Sequence, residues 1–299
     1  MEYCRLSGKD LERLKTPCYV VDEAAIEKNL NILKYVKEQT DCKIFLALKG
    51  FAMFSMFPLI RKYLDGVCAS SPHEARLGKE EFGKEVHTFA PAYSEKDINE
   101  LLMLSDSIIF NSFSQWEKFK HKVKGKVEVG IRVNPEYAEV KVNLYNPCAP
   151  HSRLGVTLEN FQNQSLEGIS GLHFHALCEQ NSDTLQRVLE RFEKNFGKYV
   201  SGMKWVNFGG GHHITRKDYD VQKLCKLVNR FKQEYGVQVF LEPGEAIAIN
   251  TGVLVSTVLD IVNNGMEIAI LDTSAEAHMP DVLAMPYRPD VRGAQKPGK

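Results

Sequence analysis

No stretch of the 299-residue sequence is apolar for long enough to cross a bilayer as a helix. The N-terminal MEYCRLSGKDLERLK is charged and lacks an apolar h-region, so no secretory signal peptide is expected. Net charge is missing too. Lys+Arg and Asp+Glu number 38 each, which offers nothing to nucleic acid or to an anionic membrane. Seven cysteines form an odd set with no C-x-x-C pair, so neither a disulfide framework nor a zinc knuckle is expected. A reducing compartment follows. No G-x-G-x-x-G comes after the first strand-like segment, which removes the usual dinucleotide fingerprint. There is no low-complexity segment and no tight internal repeat. Together these absences leave a soluble cytoplasmic protein whose partner is expected to be a small molecule or a protein.

What is present is a rhythm. Short apolar runs at 43–48, 66–69, 85–90, 107–110, 127–133, 169–174, 204–208 and 238–241 are rich in Val, Ile and Phe and lack polar alternation. Strands buried on both faces read this way. Between them lie amphipathic stretches at 23–38, 72–82, 94–104, 183–200 and 218–235. The first carries Ile26, Leu30, Leu33 and Val36 on one face, the second opens on Pro72, and the third has Ser94 at an N-cap position. Eight β/α repeats in about 230 residues fit a closed (β/α)₈ TIM-type barrel; a doubly wound open sheet is the competing arrangement. After Pro243 the texture changes, with strand-like runs at 251–262 and 266–272 and no long helix between them. The expected division is a barrel at 17–249 and a second, β-rich unit formed by 1–16 and 250–299, which is expected to be incomplete.

In such a barrel chemistry collects at the C-terminal ends of the strands. Lys49 ends the first. It could snorkel to solvent, or serve as a Schiff-base lysine whose pKa partial burial depresses. Gly209, Gly210 and Gly211 follow the seventh strand. They could form a plain turn, but glycines here also let backbone N–H groups approach a phosphate, and Gly244 after the eighth strand can join them. Glu242 ends the eighth strand and could pair with a barrel Arg or with a cofactor's pyridine nitrogen. His173 and His175 alternate along one strand and so face one side; either a core histidine or a ring packed on a cofactor fits. A zinc site built from His173, His175, His212 and His213 is a minor alternative, weakened because no H-x-H lies on the first strand. Cys68 and Cys178 read as small packing residues.

With these residues assembled, the chain resembles the alanine-racemase-like pyridoxal 5'-phosphate (PLP) enzymes, in the branch of ornithine and diaminopimelate decarboxylases. The resemblance rests on Thr16-Pro17-Cys18-Tyr19-Val20-Val21-Asp22, the A-x-K at Lys49, Ser71 to Glu74, Gly171-Leu172-His173-Phe174-His175, the glycine run and Glu242-Pro243-Gly244. It implies that Lys49 carries PLP covalently, His175 stacks on its ring, Gly209, Gly210, Gly211 and Gly244 cradle its phosphate, and Glu242 meets its pyridine nitrogen. Glu245 stands where the amino-acid decarboxylases of this group usually have Arg. That feature, the segment from Leu271 to Asp281 and His151-Ser152-Arg153-Leu154-Gly155 resemble the carboxynorspermidine/carboxyspermidine decarboxylases of polyamine biosynthesis. The resemblance implies a polyamine-type amino acid as substrate, with Glu245 and Asp281 taking its extra ammonium groups, and a homodimer with shared active sites. It also implies a later segment with a Cys near an Asp, which does not follow Tyr287. The alternatives are a decarboxylase of a simpler amino acid, such as diaminopimelate, ornithine or arginine, and a non-catalytic regulator that keeps the barrel.

Overall fold

The computed structural model describes residues 6–285, 287–292 and 294. The stretch from 288 onward, read from sequence as poor in apolar residues, lies partly outside them. The chain divides into two compact units, one of Glu23–Ile249 and one joining Met1–Asp22 to Asn250–Lys299.

The first unit is a closed barrel of eight parallel strands: β2 (Lys43–Ala47), β3 (Gly66–Ala69), β4 (Glu85–Phe89), β5 (Ser107–Phe110), β6 (Glu128–Arg132), β7 (Gly171–His173), β8 (Trp205–Asn207) and β9 (Gln238–Leu241). Closure comes from β9 pairing with β2, Lys43 opposite Phe240 and Ile44 opposite Leu241. Each strand was anticipated within a residue or two. Closing the sheet leaves no unpaired edge inside the unit.

Large and small side chains alternate to fill the interior. Phe45, Ile109, Trp205 and Phe240 form a buried cluster, with Cys68 and Phe89 packed against it. The Trp205 indole stacks on Phe240 at 5.3 Å between centroids. Room for it comes from β7 beside it and β6 beyond: a Cβ on Gly171 would stand 2.1 Å from the indole and one on Gly130 2.4 Å. Outside the barrel, the helix Glu23–Thr40 buries Ile26, Leu30, Leu33 and Val36 completely. Burial of each such side chain is worth about 1.5–3 kcal/mol. Asn29 on the same helix is buried too, and its Nδ2 donates to the carbonyls of Ile247 and Ile249, 3.2 Å each. That contact seats the segment following β9.

Three elements differ from the sequence reading. Helix 72–82 is α-helical over Pro72–Leu77 and then widens to a π-helical turn over Gly78–Phe82. Helix 218–235 begins at Val221, because Asp220 accepts the Lys223 N–H and caps it there. Residues 251–262 form two strands, not one. β10 (Gly252–Val255) and β11 (Val258–Asn263) are separated where Ser256 Oγ and the Thr257 N–H both donate to Asp272 Oδ1.

In the second unit β1 (Cys18–Val21) pairs antiparallel with β10, and β11 pairs with β12 (Glu267–Leu271). Residues 18–21 therefore leave the barrel segment expected at 17–249. The barrel already pairs every strand with two neighbours, so this strand finds its hydrogen bonds with residues 252–255.

Candidate active site

At the C-terminal ends of the strands lies a cleft of about 410 Å³, partly open to solvent, lined by Lys49, Ser70, Arg132, His173, His175 and Glu242 among others. Lys49 is accessible from the cleft yet enclosed by its walls. Burial lowers its ammonium pKa, Glu242 opposes that, and the Arg132 charge adds to it. An amine so placed loses its proton more readily than a surface lysine and becomes a better nucleophile.

Glu242 is the centre of the polar wall. Its Oε1 accepts from Asn207 Nδ2 at 2.5 Å. Its Oε2 lies 3.5 Å from His173 Nε2. Burial alone would raise this carboxyl, but His173, with the Cys68 thiol and Asn207, outweighs it and holds the group well below the usual carboxylate range. Burial lowers His173 and raises the Cys68 thiol. The result is an ionised carboxylate held by neutral donors. Neither nitrogen of His173 reaches a hydrogen-bond partner at normal length.

His175 is pushed well below its ordinary pKa by burial first and by the Lys49 and Arg132 charges next. Its Nδ1 accepts the Gly210 N–H at 3.0 Å, so a neutral ring carries its proton on Nε2. The Gly209 N–H donates to Asn207 Oδ1 at 2.8 Å. Two of the three loop amides thus bond within the protein. Among the described residues, the amides of Gly211 and Gly244 donate to no protein acceptor. Side chains cannot enter this loop: a Cβ on Gly210 would stand 2.4 Å from the Glu242 carbonyl, and one on Gly211 2.0 Å from that of Leu177. Gly50 packs as closely, its Cβ position lying 2.8 Å from the Gly244 Cα. The chain after Lys49 therefore abuts Gly244 and Glu245.

Lys49, His175, Gly209, Gly210, Gly211, Glu242 and Gly244 come together from four strand ends, and Glu245 follows directly. Asp281 belongs to the other unit, where it heads the helix Asp281–Ala284. Arg132 was missed as a site residue. Its guanidinium is buried, lies 4.6 Å over the Phe89 ring and donates to the His175 carbonyl. Its place at the end of β6 was the available signal. Among the described residues no group of three or more His, Cys, Asp or Glu side chains is placed to hold a metal ion. No helix among them is long and apolar enough to cross a membrane.

Over 284 residues the chain is 49% identical to the carboxynorspermidine/carboxyspermidine decarboxylase of Campylobacter jejuni, covering 95% of this chain and 74% of the relative. The chain belongs to the carboxynorspermidine/carboxyspermidine decarboxylase family. A carboxyaminopropylagmatine decarboxylase of Synechocystis is 43% identical, with 98% of this chain and 76% of that protein covered. The crystal structure of the Campylobacter jejuni carboxynorspermidine decarboxylase complexed with norspermidine superposes with a TM-score of 0.86 at 48% identity, covering 92% of this chain and 72% of that one. For fold alone, SrLDC in complex with PLP and cadaverine gives a TM-score of 0.74 at 17% identity. The barrel of this chain thus shares its fold with a protein solved in complex with PLP. No family model matches the chain.

Proposed function

We propose that the protein is a PLP-dependent carboxy-lyase that decarboxylates carboxynorspermidine or carboxyspermidine in polyamine biosynthesis. The observation that carries this reading is the meeting of the Lys49 amine, the ionised Glu242 and the neutral His175 in one cleft, in a chain 49% identical to an enzyme of that name.

The leftover groups fit the cofactor. A lysine of lowered pKa suits covalent attachment, the Gly211 and Gly244 amides are open to a phosphate, and a buried carboxylate suits a protonated pyridine nitrogen. Lys49 would hold the cofactor, His175 would lie against its ring, and Glu242 would keep its nitrogen protonated. Gly209 and Gly210 serve differently from Gly211 and Gly244: their amides fix Asn207 and His175, and their missing side chains leave the space open. PLP, when bound, supplies the electron sink for the pair left by the departing carboxylate.

The chain's own residues set the conditions. Burial first, and the Arg132 charge beside it, keep His175 uncharged, so the ring beside the cofactor brings no cation to compete with Glu242. Asn207 orients Glu242 from the neighbouring strand, with the His173 ring beside the same carboxylate. Lys49 gives up its proton and takes one back as product leaves. Glu245 and Asp281 are the carboxylates proposed for the ammonium groups of the substrate arm, and the active form is proposed to be a cytoplasmic homodimer with shared sites.

Borohydride reduction of the PLP-loaded protein followed by peptide mapping tests the anchor; label anywhere but Lys49 overturns it. Release of CO₂ is then compared for carboxynorspermidine, carboxyspermidine, diaminopimelate and ornithine. Faster turnover of a simple diamino acid overturns the substrate class. Glu245→Arg should weaken the polyamine substrates selectively, and an unchanged preference removes Glu245 from the substrate site. Sedimentation of the loaded protein tests the dimer.

A further inference from the structure

We infer that His213 and Arg216 form a positioning pair that orients the Glu245 carboxylate toward the substrate arm while leaving its charge uncancelled. The inference rests on the proposed substrate role of Glu245.

Glu245 opens the short helix Glu245–Ala248, and its side chain is half exposed. The turn beneath it is pinned. Thr215 Oγ1 donates to the Ala246 carbonyl at 2.5 Å, and Asn29 holds the carbonyls of Ile247 and Ile249. A Cβ on Gly50 would lie 2.9 Å from the Glu245 nitrogen, so the backbone of Glu245 runs beside that of Lys49 and Gly50. Cys178 lies within electrostatic reach of both the Glu245 carboxylate and the Lys49 amine. Glu245 therefore stands at the rim of the cleft.

His213 Nε2 lies 2.9 Å from Glu245 Oε2, and the imidazole is almost wholly buried. On the other side of the ring, Arg216 Nη1 lies 3.1 Å from Nδ1. A guanidinium can only donate. Nδ1 must then be the acceptor, so the proton of a neutral ring sits on Nε2 and points at Glu245. Arg216 is itself held by Asp218 Oδ1 at 2.6 Å and Asn181 Oδ1 at 2.7 Å. The charged and titratable groups about the imidazole are thus Glu245 on Nε2 and Arg216 on Nδ1, with Asp218 behind the arginine.

The consequence is chemical. A doubly protonated His213 would turn an N–H against the guanidinium and cancel the Glu245 charge in an ion pair. A neutral imidazole instead donates one hydrogen bond, fixes the carboxylate's rotamer and leaves the full charge for an ammonium. Among the described residues Oε1 of Glu245 has no hydrogen-bond partner in the protein, so it is open to that ligand.

The test uses the PLP-loaded enzyme with norspermidine as competitive inhibitor, and ¹⁵N NMR of the histidines. The expected spectrum of His213 is that of a ring with its proton on Nε2 and a lone pair on Nδ1. His213→Leu should raise the norspermidine inhibition constant about tenfold with kcat within about twofold, the loss expected of one hydrogen bond to a charged group. His213→Gln should recover most of that affinity, because its amide donates without carrying charge. Arg216→Met should free Nδ1, so that the ring no longer holds its proton on Nε2 toward Glu245, and weaken norspermidine as well. A doubly protonated or Nδ1–H ring in the unaltered enzyme overturns the pair, as do equal effects of Leu and Gln. If Glu245→Gln weakens norspermidine but His213→Leu does not, only the pairing fails. If Glu245→Gln leaves the constant unchanged, the substrate role of Glu245 fails with it.

Discussion

The Gly210 amide donates to Nδ1 of His175 across 3.0 Å, so the loop after β8 and the strand end of β7 lock one another. A bond from a backbone amide sets the imidazole's tautomer without charging it, and it does so only while the loop stays within reach. Gly210→Ala would place a Cβ 2.4 Å from the Glu242 carbonyl. The loop must then move and release His175. The expected outcome is at least about tenfold weaker PLP retention and a stability loss of about 1–3 kcal/mol. Equilibrium dialysis of PLP and urea unfolding measure the two effects.

Glu242 makes stability depend on acid. Its folded pKa lies below the ordinary value of 4.5. The unfolded chain therefore binds a proton, as pH falls through that value, which the folded chain refuses. The stabilisation is complete above the unfolded pKa and fades as pH drops toward the folded one. Unfolding free energies measured between about pH 3 and 6 should fall with acid in the unaltered protein and fall less steeply in Glu242→Gln. Parallel profiles would show that the carboxyl is not held low. The same variant should lose most of its decarboxylase activity.

Lys49 and Arg132 act on one another through the cleft. Burial and the guanidinium both lower the Lys49 amine. In the cofactor-free protein, the pH midpoint for labelling Lys49 with an amine-directed reagent should lie below 10.5. Arg132→Met should raise that midpoint by removing the neighbouring cation. No change in the variant would mean that burial alone sets the shift.

Trp205 fills space that Gly171 leaves on the strand beside it and Gly130 on the strand beyond. Trp205→Ala should cost about 3–5 kcal/mol, read from denaturant midpoints, because the rigid strands cannot collapse onto the void. Gly171→Val should be worse and prevent folding, since its side chain would enter the indole. Near-normal stability of either variant would contradict the packing described.

The chain's local patterns carried much of this. Eight apolar runs separated by amphipathic stretches pointed to a parallel sheet with crossover helices, because strands buried on both faces and helices buried on one leave different periodicities in the residues themselves; closure into a barrel rather than an open sheet was decided by the pairing of β9 with β2. The positions of Lys49, the glycine run and Glu242-Pro243-Gly244 were legible for the same reason, each lying just past a run. Strand ends alone could not show partners. That Asn207 donates to Glu242, that Arg132 lies over Phe89, and that Gly210 holds His175 depend on the order the strands take on closure. The use of the glycine amides was hidden as well, since a run of glycines says only that side chains are absent. The break at Ser256 and Thr257 came from Asp272, fifteen or more residues away. Sequence alone determined the elements and the reactive residue types, because these follow from neighbours along the chain. Only the tertiary structure decided charge states, hydrogen-bond partners and the unit to which β1 belongs, because those follow from groups brought within a few ångströms by folding.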